Sequence, residues 1–213
     1  VSTWGSPQFN YDRDKLIEAT KLILSEYDNY HNIQTYRFDL TDCLRQCVAD
    51  LSWDYIDGIK ESYANKDSYA LRYNADQLLN LFDLQESLVS TNQHMLLGKW
   101  LDMAKRYGKT PAEKALFEFN ARTQITLWGD SSGSVELHDY AAKEWSGLLA
   151  DFYKPRWEAF IGLLLASLET GCELCSFEQY DYEAAFCFTQ KEYSCEPKGN
   201  LKEIALKIIE HLK

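Results

Sequence analysis

From Arg37 to about Asn65 the residues Leu40, Leu44, Cys47, Val48, Leu51, Tyr55, Ile59 and Tyr63 recur at steps of three and four. That spacing puts all of them on one face of a helix, whereas a strand would scatter them over both faces. A one-sided helix of this length needs other helices to cover its stripe. The chain has the means to supply them. Glycine (10) and proline (4) are scarce among 213 residues and 46% of the residues are hydrophobic, which excludes loop-rich sandwiches, collagenous repeats and disorder. A chain of this size buries roughly 70% of its unfolded surface without staples.

The same reading extends along the chain. Asp12 is placed to cap a first helix carrying Leu16, Ala19, Ile23 and Tyr27, and residues 28–35 read as a connection. A third helix is predicted over Asp67–Val89, a short fourth one from His94 to near Gly108, and a fifth opens at Thr110-Pro-Ala-Glu113. That tetrapeptide combines a capping box with proline at the first helical position, and the helix behind it is expected to turn Leu116, Phe119, Thr123 and Leu127 to one side. Gly129 to Ser134 is a turn by composition. Beyond it Tyr140, Trp145, Leu148, Leu149 and Phe152 form a helical face that Pro155 is expected to kink or restart, and Gly171 should cap the restarted helix. Helices over 181–192 and 201–212 complete the prediction: an all-α, irregular bundle of about seven to nine helices with no sheet, in one domain spanning 1–213.

The 33 acidic against 22 basic residues give a net charge of −11 with no basic run, a surface that repels nucleic acid and anionic lipid. The longest apolar run, Phe160–Leu168, is too short to span a membrane. Neither nucleic acid nor membrane is therefore expected as a partner. Six cysteines stand at 43, 47, 172, 175, 187 and 195. Cys43 and Cys47 lie one turn apart on the apolar stripe and read as buried free thiols. Cys172-x-x-Cys175 has the spacing of a zinc or disulfide pair, but the wide gap to Cys187 and Cys195 does not fit a zinc knuckle, so no metal and no cofactor is expected. No phosphate loop, nucleophile elbow or paired-histidine helix is present.

The segment between Phe117 and Phe160 holds the polar and aromatic residues that packing alone does not require. Trp128 ends a helical stretch just before Gly129, where an indole either joins the core or projects to stack on a sugar or an aromatic; Tyr140 carries the same alternatives. Arg122 and Arg156 sit among aromatic residues and need carboxylate partners, for which Asp39, Asp139 and Asp151 are the candidates. Glu136 and Asp139 form a conceivable hydrolytic pair, with capping as their ordinary role.

Five stretches resemble a known family in order and separation: Tyr36-Arg-Phe-Asp-Leu-Thr-Asp42, Leu96-Leu-Gly-Lys-Trp-Leu101, Asn120-Ala-Arg-Thr-Gln-Ile-Thr-Leu-Trp-Gly129, Asp139-Tyr-Ala141 with Trp145-Ser-Gly-Leu148, and Tyr153-Lys-Pro-Arg-Trp157. On these the chain resembles the C-terminal helical domain of the α-N-acetylglucosaminidases, glycoside hydrolase family 89. The resemblance implies a parent enzyme with a catalytic barrel bearing two glutamates, retaining cleavage of terminal α-linked N-acetylglucosamine from glycans, and a secreted, periplasmic or lysosomal location. The partners it implies are that barrel, in the same polypeptide, and a glycan ending in N-acetylglucosamine. It further implies that Trp128 and Tyr140, with Leu137 and His138 nearby, wall the substrate pocket, and that Arg122 and Arg156 hold the turn. Catalytic residues are expected in the barrel and none in this chain, which should not hydrolyse substrate alone. An autonomous helical module that binds glycan or protein is the alternative.

Overall fold

The computed structural model describes residues 9–129, 142–177 and 179–212. Helix α3 (Gln34–Ala64) carries the long stripe and pairs antiparallel with α4 (Ser68–Val89). The reversal takes three residues: Asn65 caps α3, Lys66 turns left-handed at φ 57°, and the Asp67 carboxylate caps α4 through the amide of Ala70. This hairpin is the spine on which the other elements pack.

Three apolar clusters fasten them. Helices α1 (Arg13–Ser25) and α9 (Leu201–His211) close over Leu40, Leu44, Val48, Leu81 and Leu88, with Ala205 and Ile208 fully buried on α9. Asp12 and Asn200 cap the two helices as their sequences predict. The one-turn helix α2 (Tyr27–Tyr30) lies inside the stretch read as a connection. Helix α7 (Lys154–Thr170) covers the far half of the spine, setting Ile161 and Leu164 against Ile56, Ile59, Leu71 and Leu78, and ends at Gly171 with φ 69°.

The third cluster supports the site. It joins the end of α4 to α5 (Leu97–Lys105), α6 (Pro111–Ile125) and α8 (Gln179–Cys187) through Val89, Leu97, Leu101, Ile125, Phe152 and Phe186. Residues 142–146 are extended rather than helical, and helix resumes only at Leu148. Pro155 is accommodated by a π-helical turn, Leu149–Tyr153, that runs directly into α7; the amide of Lys154 reaches back to the Leu149 carbonyl, and the proline falls in the first turn of α7, where its missing N–H is not needed. Among the described residues there is no strand; one isolated parallel bridge links Leu96 to Ser146. The expected all-α bundle is the fold.

Candidate functional site

Two limbs of chain converge on the third cluster. The incoming limb is the end of α6. Its capping box is formed as the sequence predicts, but the inward face is Ala121, Arg122 and Ile125, and Leu116 is 54% exposed. The reason is Arg122: its guanidinium is fully buried, donates to the Glu118 carboxylate at 2.6 Å and to the Lys191 carbonyl at 2.8 Å, and lies over the rings of Phe186 and Tyr193. A buried, paired charge thus takes the face that apolar counting gave to Leu116.

Past Ile125 the helix is unwound deliberately. The buried Thr126 hydroxyl donates to the Arg122 carbonyl at 2.7 Å and touches the Cys187 thiol. The Trp128 amide returns to the Thr123 carbonyl and the Gly129 amide to the Leu127 carbonyl, both at 2.8 Å, with Trp128 at φ 63°. This is a γ-turn centred on tryptophan, a strained conformation that the surrounding bonds enforce. Trp128 as a residue is 39% exposed.

The outgoing limb is 142–147. Glu144 accepts from Arg45 at 2.5 Å and from Gln85 at 3.1 Å, and Lys143 donates its amide to the Tyr153 hydroxyl at 3.3 Å. Ser146 exchanges main-chain bonds with Met95 and Leu97. Glu86, on α4, takes the Ser146 hydroxyl at 2.6 Å and the Gly147 amide at 3.0 and 2.9 Å. Trp100 ties the two limbs together: its indole N–H donates to the Ala121 carbonyl on α6 at 2.9 Å, and its ring packs on Trp145 with centroids 5.8 Å apart.

A strap, residues 188–199, lies across both. Lys198 and Ser90 exchange bonds, Lys191 holds Arg122 from one side and pairs with Asp151 at 2.7 Å, and the Tyr193 ring occupies the space where a side chain on Gly147 would stand. Burial, and after it the neighbouring Asp151 carboxylate, push the Tyr193 hydroxyl well above the ordinary tyrosine range, against the smaller opposing effect of Arg122.

Of the residues singled out in the sequence, Trp128 stands at the tip of the incoming limb. Leu137, His138 and Tyr140, with Glu136 and Asp139, lie outside the described residues. Among the described residues Arg122 pairs with Glu118 and Arg156 with Glu183, the latter at 2.8 Å and almost fully buried, while Asp139, one of the anticipated partners, lies outside the described residues. The two arginines bracket a ring stack, Arg122 over Phe186, Phe186 on Phe152, and Arg156 over Phe152, which locks α6, α8 and the π turn together. Sequence reading missed Glu86, Glu144 and Arg45, polar residues spread over three segments that only the fold assembles; the one available signal was Trp145-Ser-Gly-Leu148, quoted above without a role.

The six cysteines are free thiols; Cys47 is buried and bonded to Thr20, Cys43 is half-buried, and burial raises both thiols above their ordinary value. Cys172 and Cys175 are exposed. Among the described residues no group of three or more metal-ligating side chains occurs, and no helix is long and apolar enough to cross a membrane. The carboxylates around the limbs, Glu86, Glu118, Glu144 and Glu183, are each engaged by a described donor.

Among the described residues, fold and site define a helical domain without strands that carries an aromatic residue in a tight turn at the end of α6. The chain belongs to the alpha-N-acetylglucosaminidase (NAGLU) C-terminal domain family, whose model matches residues 2–211. It is 30% identical over 206 residues to human alpha-N-acetylglucosaminidase, a stretch covering 93% of this chain and 27% of that enzyme. A family 89 glycoside hydrolase from Clostridium perfringens, solved in complex with PUGNAc, superposes with a TM-score of 0.91 at 30% identity over 98% of this chain and 25% of its own. A Clostridium perfringens structure of the same family in complex with its substrate GlcNAc-alpha-1,4-galactose gives a TM-score of 0.92 with the same coverage. The chain therefore spans about a quarter of the length of these relatives.

Proposed function

We propose that this chain is the accessory helical domain of an exo-acting, retaining α-N-acetylglucosaminidase, packing on the catalytic barrel of the same polypeptide and walling the pocket for terminal α-linked N-acetylglucosamine. The observation that carries the reading is the γ-turn that holds Trp128 outward. A fold does not spend backbone strain on an exposed indole that serves only its own core. An aromatic wall fits the apolar face of a pyranose, excludes water and orients the sugar, while acid and nucleophile come from the barrel. Tyr140, with Leu137 and His138, extends that wall. Arg122 supports it through α6 and the strap, and Arg156 through the ring stack.

Packing against a large neighbour is supported by the α5–α6 face. Met103 and Tyr107 are exposed beside a groove of about 490 Å³ also lined by Trp100, Phe117 and Gln124, and Gln124 lies one turn before Trp128. An apolar face of this kind marks a surface that another part of the protein covers. A glycan substrate places the enzyme in a secreted, periplasmic or lysosomal compartment.

The test is hydrolysis of a chromogenic α-N-acetylglucosaminide by the whole protein and by residues 1–213, each with and without Trp128→Ala. Activity is expected in the whole protein alone and should fall sharply with the substitution. Turnover by the fragment would sink the accessory reading and return attention to Glu136 and Asp139. Sugar binding by the fragment at whole-enzyme affinity would instead favour an autonomous module.

A further inference from the structure

We propose that Glu86 is a positioning residue for substrate binding, acting through Ser146 and Gly147 to orient the limb that leaves the pocket wall. The inference rests on the pocket-wall reading above. Three observations carry it. The carboxylate stands on α4, the rigid spine helix, and accepts the Ser146 hydroxyl and the Gly147 amide, the latter shared between its two oxygens; bonds from neutral donors to an ionised acceptor are about twice as strong as neutral ones. Gly147 adopts φ 92°, and a Cβ there would lie 2.6 Å from the Tyr193 ring, so the peptide is pinned by a charge on one side and an aromatic ring on the other. The limb changes at this point from extended chain to helix, resuming at Leu148.

The course of the limb across the fold is held independently of Glu86, by the main-chain bonds to Met95 and Leu97 and by Arg45 and Gln85 on Glu144. Glu86 holds the Gly147 amide and the Ser146 side chain while Leu97 holds the Ser146 carbonyl, so the two together set the rotation of the Ser146–Gly147 peptide, and Glu86 supplies the fine adjustment of the limb rather than its course. Loss of the carboxylate therefore misaims the wall while the bundle remains folded. A misaimed wall weakens substrate binding and leaves the barrel's chemistry in place.

The experiment uses the whole protein and a chromogenic α-N-acetylglucosaminide, comparing Glu86→Gln, Glu86→Ala, Ser146→Ala and Trp128→Ala by steady-state kinetics and thermal unfolding. KM is independent of the fraction of enzyme that is folded, so it separates aiming from stability. Glu86→Ala is expected to raise KM about tenfold with little change in kcat, and Glu86→Gln somewhat less because one acceptor oxygen remains. Ser146→Ala, which keeps the shared bond to Gly147, should shift KM least. A raised KM in Trp128→Ala with an unchanged KM in all three clamp variants overturns the positioning role and leaves the wall standing. A loss confined to Tm and kcat makes Glu86 a structural residue only and overturns it equally. Should KM rise in the Glu86 variants but not in Trp128→Ala, the clamp is upheld and Trp128 is removed from the wall.

Discussion

At Trp128 the backbone and the side chain make opposing demands. A left-handed conformation costs a residue with a Cβ about 1–2 kcal/mol, and glycine escapes that cost. Ordinarily alanine is the better residue in a folded chain because glycine loses more entropy on folding. At φ 63° the order should invert: Trp128→Gly is expected to be more stable than Trp128→Ala by about 1 kcal/mol, read as a difference in urea midpoint. Equal stabilities, or alanine ahead, would mean that the turn relaxes and stores no strain. The buried arginine next in importance gives a second contrast. Arg156 and Glu183 are both nearly inaccessible, so Arg156→Ala removes the cation that faces a buried carboxylate and should cost about 3–5 kcal/mol. Arg72→Ala, whose pair with Glu169 is half exposed on both sides, should cost less than about 1 kcal/mol on the same assay. That Arg122 and Arg156 need partners was legible from their aromatic surroundings. Which carboxylates they use was not, because Glu183 lies 27 residues from Arg156 and its choice depends on how α8 docks.

Helices were the legible elements, since each carries its own period and caps. The Thr110 capping box, the Asp12 cap of α1 and the Gly171 stop of α7 are local chemistry and occur where the sequence puts them. The inward face of α6 was misread because apolar periodicity has no way to count a buried, paired arginine as core. The strap 188–199 was illegible for a different reason: main-chain carbonyls and amides hold it to Ser90 and Arg122, and these have no sequence signature. Its tightest contact yields a prediction. A Cβ on Gly98, in the first turn of α5, would come within 2.3 Å of the Ser194 carbonyl and 2.5 Å of that of Tyr193, backbone atoms that cannot swing aside. Gly98→Ala is therefore expected to push the strap off α5 at a cost of about 1–3 kcal/mol. Limited proteolysis should then cut within 188–199 before it cuts the spine; an unchanged cleavage pattern with unchanged stability would show that the strap is not held at this point.

For the molecule as a whole, titration reports how much of its polar frame is buried. On the acid side, Glu113 is held below its ordinary value by the amides of Thr110 and Lys109, and Asp28 by Lys202; the stability they add is present above the unfolded carboxylate range and is lost as pH falls through their depressed values. Both are exposed surface groups, so the acid limb should be shallow. The alkaline limb is the informative one. Tyr193, Tyr11, Tyr36, Tyr55 and Tyr182 are all raised above 10.0, chiefly by burial, and Cys43 and Cys47 above 9.0. Above those ordinary values the unfolded chain has lost protons that the folded chain still binds. Stability therefore falls with rising pH, by up to about 1.4 kcal/mol per pH unit for each proton retained. The net charge of −11 becomes more negative over the same range and adds self-repulsion. Tyr193 contributes most to that slope, being the most strongly raised, by burial and by the neighbouring Asp151 carboxylate on the π turn. Tyr193→Phe removes the titrating hydroxyl while keeping the ring against Gly147 and Arg122. It should lose stability less steeply above about pH 10 than the parent does, so that the two urea-midpoint curves differ in slope there. Parallel curves would place the alkaline loss in the other tyrosines and the two thiols, and would mean that the Tyr193 hydroxyl reaches water in the folded protein.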